Sequence, residues 1–259
     1  MSFTQTTVFA FLFLFVTSAL GAACTYCVSV QNYQKFHCLF LGFTAGVMLA
    51  ASVWSLLLPA LNQAQNGWGR YAFIPVSAGI LLGAAFLFLL DKCFPQTAAK
   101  DGTVFGGSPS ARRLFLAITL HNIPEGLAVG FAFGAAYALG EWQGYAAALG
   151  LALGIGIQNV PEGAALSLTL RQTFQSRNKA FLFGAASGVV EPIAAFLGFF
   201  LAAQLRVLQP WLLAFSAGAM LFVVAEDLLP ESKDGDAVAC AWSVLFGFVC
   251  MMALDVGLG

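Results

Sequence analysis

Two near-identical stretches, His121-Asn122-Ile123-Pro124-Glu125-Gly126 and Gln158-Asn159-Val160-Pro161-Glu162-Gly163, each set a glutamate inside a long apolar run. No other feature limits the fold so strongly. A carboxylate in hydrocarbon costs several kcal/mol unless a partner compensates it, so an intramembrane glutamate marks a functional site by default. Two of them, with a histidine, a glutamine and two asparagines at matched spacing, form a pattern suited to a cation. The chain of 259 residues is 60% hydrophobic and 9% charged, against about a quarter charged in a soluble domain. That balance predicts an all-α polytopic membrane protein embedded in the lipid bilayer. The net charge of −1, with no basic patch, gives no sign of a nucleic-acid partner.

A span needs about 20 predominantly apolar residues. Eight such runs occur, at roughly 7–30, 37–61, 71–94, 112–140, 143–171, 179–205, 208–230 and 237–258, in a single transmembrane domain covering 1–259. The expected breaks are Gln31-Asn32-Tyr33-Gln34, Asn66-Gly67-Trp68-Gly69, Gly140-Glu141-Trp142, Arg177-Asn178 and Lys233-Asp234-Gly235-Asp236. Residues 95–110, rich in Gly, Ser, Thr and Pro, read as a flexible cytoplasmic loop. No Lys or Arg precedes Lys35, so the first apolar run lacks the positive start of a signal peptide and reads as a retained helix. Of the Lys and Arg residues in the chain, nine fall in one set of loops and two, Arg70 and Arg206, in the other. The nine-charge side is therefore cytoplasmic and both termini extracytoplasmic. A short chain with almost no tails points to a bacterial cytoplasmic membrane.

A second echo joins span two (Thr44-Ala45-Gly46-Val47-Met48-Leu49, then Pro59) to span seven (Ser216-Ala217-Gly218-Ala219-Met220-Leu221, then Pro230). These spans run in opposite directions, as do spans four and five, so inverted internal repeats around a central polar site are expected. Within the motif helices, His121 and Asn122 share a face with Glu125, and Gln158 and Asn159 share one with Glu162. Pro124 and Pro161 free the carbonyls of Leu120 and Ile157. His121 lies roughly 13 Å past Arg113 along a helix, near the middle of a ~30 Å core. Glu191, also followed by a proline, is a third deep carboxylate, and no Lys or Arg shares this depth. Uncompensated carboxylates must be protonated or hold a cation. Imidazole with carboxylate suits Zn²⁺ or another first-row ion better than Mg²⁺ or Ca²⁺. One or two such ions fit this donor set, and no organic cofactor is called for.

HNIPEG followed by QNVPEG in spans four and five of an eight-span chain resembles the ZIP (Zrt-/Irt-like) divalent-metal transporters, and Ala45–Ser52 is similar to their GufA-like branch. The resemblance implies import of Zn²⁺, with Cd²⁺, Fe²⁺ or Mn²⁺ as related substrates, by elevator-like motion, and a homodimer. It implies a first metal position at His121, Glu125, Gln158 and Glu162, joined by Met48. It implies a second at Asn122, Asn159, Glu125, Glu162 and Glu191. Asn159 is neutral where the branch can carry Asp, so the second position is expected to be weaker or built chiefly on Glu191. Residues 95–110 hold no histidine, unlike the His-rich loop common in the family.

Ser55, beyond Met48, and Glu226 and Asp227, near the cytoplasmic end of span seven, are pathway candidates. Asp255 reads as a residue near a span end with no special role. Cys24 and Cys27 form a CxxC without a second pair, which reads as a packed helix face. An intramembrane metalloprotease is disfavoured, because no HExxH is present, so the chain is not expected to be an enzyme. The rival reading is a carrier for another cation, or a proton-coupled transporter with the glutamates as relay.

Overall fold

The computed structural model describes residues 3–28, 30–93, 109–140, 142–231 and 237–258. Among these residues every regular element is helical, as expected of an apolar chain that must satisfy its backbone polar groups internally. In order they are α1 (Phe3–Cys27), α2 (Val30–Ala51), α3 (Leu58–Trp68), α4 (Phe73–Cys93), α5 (Pro109–Leu139) and α6 (Trp142–Phe174). Then come α7 (Arg177–Ser187), α8 (Val190–Gln204), α9 (Gln209–Val223), α10 (Leu229–Glu231) and α11 (Ala237–Leu258). By length and composition, five described segments can cross a membrane: Phe3–Cys27, Cys38–Tyr71, Arg177–Ala202, Gln209–Glu226 and Ala237–Gly257. Phe73–Leu89 of α4 is a shorter apolar helix.

The breaks follow local chemistry, with two corrections to the sequence reading. Gly69 (φ 51°) and Gly140 (φ 69°) end α3 and α5 in the left-handed region, where glycine has no Cβ to clash. The expected break at 31–34 is instead helical, and α1 ends earlier, in a bend at Val28. There the Arg171 guanidinium donates to the carbonyls of Thr25 (2.9 Å) and Val28 (3.2 Å), capping the end of α1. Arg177 and Asn178 already belong to α7; the break lies just before them, at Gln175 (φ 52°) and Ser176, whose hydroxyl accepts from the Lys179 N–H. Most of the expected 95–110 loop, and the break at 233–236, lie outside the described residues.

Four helix pairs close on glycine. A Cβ on Gly130 of α5 would meet the Ala195 carbonyl of α8 at 2.2 Å, and one on Gly21 of α1 the Val160 carbonyl of α6 at 2.2 Å. Likewise Gly46 of α2 abuts Val244 of α11 (2.0 Å), and Gly83 of α4 abuts Phe215 of α9 (1.9 Å). Lipid offers no hydrophobic drive between helices, so such close backbone approach carries their association. Contacts between these pairs run from α2 to α6, α9 to α5 and α11 to α6. Where α6 meets α11, Gly154 faces the flexible side chain of Met251 rather than backbone.

The two echo segments share a conformation as well as a sequence. Each passes into a π-helical stretch six residues after its glycine, at Ser52–Leu57 after Gly46 and at Val224–Leu228 after Gly218. In both, the last N–H before the proline reaches back five residues: Leu58 to the Val53 carbonyl, Leu229 to the Val224 carbonyl. Pro59 and Pro230 cannot donate and crowd the carbonyl four residues back, so the preceding turn widens. The extra residue between Gly46 and Pro59 is taken up there, in a stretch of 6 residues against 5.

Substitution separates tight from open glycines. Gly130→Ala should cost roughly 1–3 kcal/mol or more through overpacking. Gly67→Ala, with nothing within 4 Å of its Cβ, should be neutral or stabilising. Thermal unfolding of the purified protein checks this, and an equal loss in both would contradict the packing.

Candidate metal centre

Helices α5 and α6 run antiparallel through Pro124 and Pro161 without a break. Their register sets the two motifs in facing layers. In one, the Gln158 side-chain amide donates to Glu125 Oε1 at 2.7 Å. In the other, four residues along each helix, the His121 and Glu162 side chains interact electrostatically. Four residues of α-helix separate the layers by roughly 6 Å. Glu125 and Gln158 are buried, whereas His121 and Glu162 are half-buried, so the site opens on the His121–Glu162 side. Glu125 also lies within electrostatic reach of Glu162 and Glu191, so three carboxylates share one neighbourhood.

The amides are oriented by what they face. Asn122 Nδ2 donates to the Ser187 carbonyl at 3.1 Å. Asn159 Nδ2 faces both Glu191 Oε2 and the Leu14 carbonyl. Every one of these partners is an oxygen, so flipping an amide would set acceptor against acceptor. Consequently Asn122 Oδ1, Gln158 Oε1, Asn159 Oδ1 and Glu125 Oε2 are buried with no donor to satisfy them. An orphaned buried polar atom costs about 1–3 kcal/mol. Four orphans of one sign, all acceptors, describe a place that a positive ion completes. Among the described residues no three His, Cys, Asp or Glu side chains gather into a metal cage on their own. The donor set mixes carboxylate, imidazole and amide oxygen.

Glu191 is placed differently. The chain breaks at Gly188 and Val189, and Glu191 enters the first turn of α8, where the helix N-terminus favours negative charge. Its Oε1 accepts from the Ser18 hydroxyl of α1 at 2.7 Å and its Oε2 from Asn159. Each oxygen therefore has one donor. Ser18 was not singled out from the sequence. The one signal was a hydroxyl buried in an apolar helix, which packing alone also explains.

The remaining candidates lie on other helices. Met48 is buried in the main apolar cluster, and its carbonyl accepts from Ser52. Ser55 donates to Asp255 Oδ1, while Asp255 Oδ2 is buried without a partner. Asp255, read from sequence as a residue near a span end with no special role, is thus buried and paired with Ser55. Glu226 is exposed in the second π stretch, and the Asp227 side chain lies outside the described residues.

Comparison with known proteins identifies the family. The family model "ZIP Zinc transporter" matches residues 100–255, which include both motifs and Glu191. "Zinc transporter ZIP11" of Xenopus tropicalis is 40% identical, over 85% of this chain and 87% of its own length. "Zinc transporter GufA" of Myxococcus xanthus is 37% identical, over 84% and 85%. "Zinc transporter ZIPB" of Bordetella bronchiseptica is 35% identical, over 95% and 79%.

If a cation completes these oxygens, it must stabilise the fold. Cd²⁺ or Zn²⁺ at a hundred times its Kd should stabilise the purified protein by about 2.7 kcal/mol, seen as a raised Tm. Na⁺ should give none of this, and Glu125→Ala should remove it. Equal stabilisation of the wild type and Glu125→Ala would place the ion elsewhere.

Proposed function

Since the chain belongs to the ZIP family of zinc transporters, we propose that it moves Zn²⁺ into the cytoplasm through the facing layers of α5 and α6. The observation that carries this reading is the set of four buried oxygens without donors beside a histidine and three carboxylates. Glu125, Gln158, His121 and Glu162 form the ion's seat, with the Met48 thioether as a further soft donor. A carboxylate–imidazole set favours Zn²⁺ and neighbouring transition metals over the hard cations. Met48 would extend that preference to Cd²⁺.

In this reading the chain crosses the membrane eight times with both ends outside, the loops rich in Lys and Arg facing the cytoplasm. Helix α5 then enters from the cytoplasmic side. The half-buried His121–Glu162 layer lies on that side of the buried Glu125–Gln158 layer, which corresponds to an inward-facing state. The pairing of helices supports an inverted repeat. Exchanging α1 with α8, α2 with α9, α4 with α11 and α5 with α6 turns the closest helix pairs into one another: α1–α6 into α5–α8 and α2–α11 into α4–α9, with α2–α6 going into α5–α9.

The same packing favours a moving unit of α1, α5, α6, α7 and α8 against a frame of α2, α3, α4, α9, α10 and α11. Backbone-close glycine contacts fall within each group, and the side chain of Met251 lies between them. Ser55 and Asp255 would line the outer approach, on the side of the site away from His121.

Uptake of radioactive Zn²⁺ into proteoliposomes tests the assignment. His121→Ala and Glu125→Ala should each lower uptake at least tenfold, the loss expected when a metal ligand or its direct support is removed. Undiminished uptake in both variants would end it.

A further inference from the structure

Three carboxylates in one neighbourhood raise the question of how many ions they serve. Two divalent ions bring four positive charges. Glu125, Glu162 and Glu191 bring three negative ones, and no Lys, Arg, Asp or further Glu lies on α5 between Ile118 and Leu139 or on α6 before Arg171. An uncompensated charge in a low-dielectric interior is costly. One ion against Glu125 and Glu162 is balanced, which leaves Glu191 to be satisfied by other means.

The structure supplies those means. Each oxygen of Glu191 already has a donor, Ser18 Oγ at 2.7 Å on one and Asn159 Nδ2 on the other. The N-terminal turn of α8 adds its dipole. Ser18 Oγ also lies 3.1 Å from the Leu14 carbonyl. A hydroxyl has one proton, and the shorter, charge-assisted partner takes it.

Three glycines make room for this contact. A Cβ at Gly188 would come within 2.6 Å of Ser18 Cβ and 3.0 Å of its Oγ, and one at Gly163 within 2.3 Å of the Ser18 carbonyl. On the next turn Gly21 brings α1 against the Val160 carbonyl. The hydroxyl is seated where helices α1, α6 and the α7–α8 turn meet.

We propose that Ser18 and Asn159 close the Glu191 pocket with hydrogen bonds, so that Glu191 is not a metal ligand and the centre holds one divalent ion per chain. This rests on the transport reading above and sets its ion count. Ser18 and Asn159 are positioning residues: they hold a carboxylate away from the ion. What remains open to a second cation is a pair of neutral amide oxygens, on Asn122 and Asn159, too weak to replace the hydration shell of a divalent ion without a free carboxylate.

The test is a metal count. The purified full-length chain, saturated with Zn²⁺ or Cd²⁺ and freed of excess by gel filtration, should carry one ion per chain by mass spectrometry of the metal. Two ions would overturn the proposal and leave the transport reading standing, and none would overturn both. Glu191→Gln should keep one ion with affinity within a few-fold of wild type, whereas a loss of tenfold or more would make Glu191 a ligand. Asn159→Asp with Ser18→Ala supplies the fourth negative charge and removes both donors, and should raise the count to two. A count that stays at one in the folded double variant would show that these residues do not set it. The wild-type count decides the matter even if that variant fails to fold.

Discussion

A carboxylate buried in hydrocarbon must be compensated, and the centre of this molecule is arranged around three that are. No Lys or Arg lies between Arg113 and Arg171, so neither motif glutamate has a cationic Lys or Arg side chain near it on its own helix. The compensation is divided instead. Glu125 shares one oxygen with the Gln158 amide and leaves the other open, and Glu162 faces His121. Glu191 is closed by a hydroxyl, an amide and a helix N-terminus. In the proposed reading the first two are completed by a cation from outside the chain, and the third is not.

Proline and glycine turn this electrostatic plan into a backbone. Pro124 and Pro161 each delete an N–H inside a helix, and Ser216 of α9 reaches the Pro124 carbonyl at 3.5 Å. Pro59 and Pro230 widen the turns before them into matching π stretches. Glycine brings the helix backbones of each pair into direct contact, and such contacts admit little adjustment. Where α6 meets α11 the contact is instead through the side chain of Met251, which can repack.

The motif pair was legible in the sequence because its geometry is local. Residues three and four apart share a helix face wherever the helix goes. The all-helical architecture was legible because apolar runs of this length have few alternatives. Ser18 was not, since its contact with Glu191 spans 173 positions and needs three glycines in different segments to bring it about. The Ser55–Asp255 pair, 200 positions apart, was hidden for the same reason. The first turn was misplaced because a polar stretch signals a turn only when nothing stronger acts, and here Arg171 reaches from another helix to end α1 earlier. The echo of spans two and seven was visible as sequence, but its one-residue offset acquired a meaning only when the π stretches accounted for it.

The central claim is that the ion sits where α5 and α6 face each other. Anomalous diffraction from crystals of the full chain grown with Zn²⁺ or Cd²⁺ addresses this most directly. A single strong peak within bonding distance of Glu125 and Glu162, with His121 and Gln158 around it, is the predicted result. A peak centred on Glu191, or strong peaks only outside the α5–α6 layers, would contradict the account.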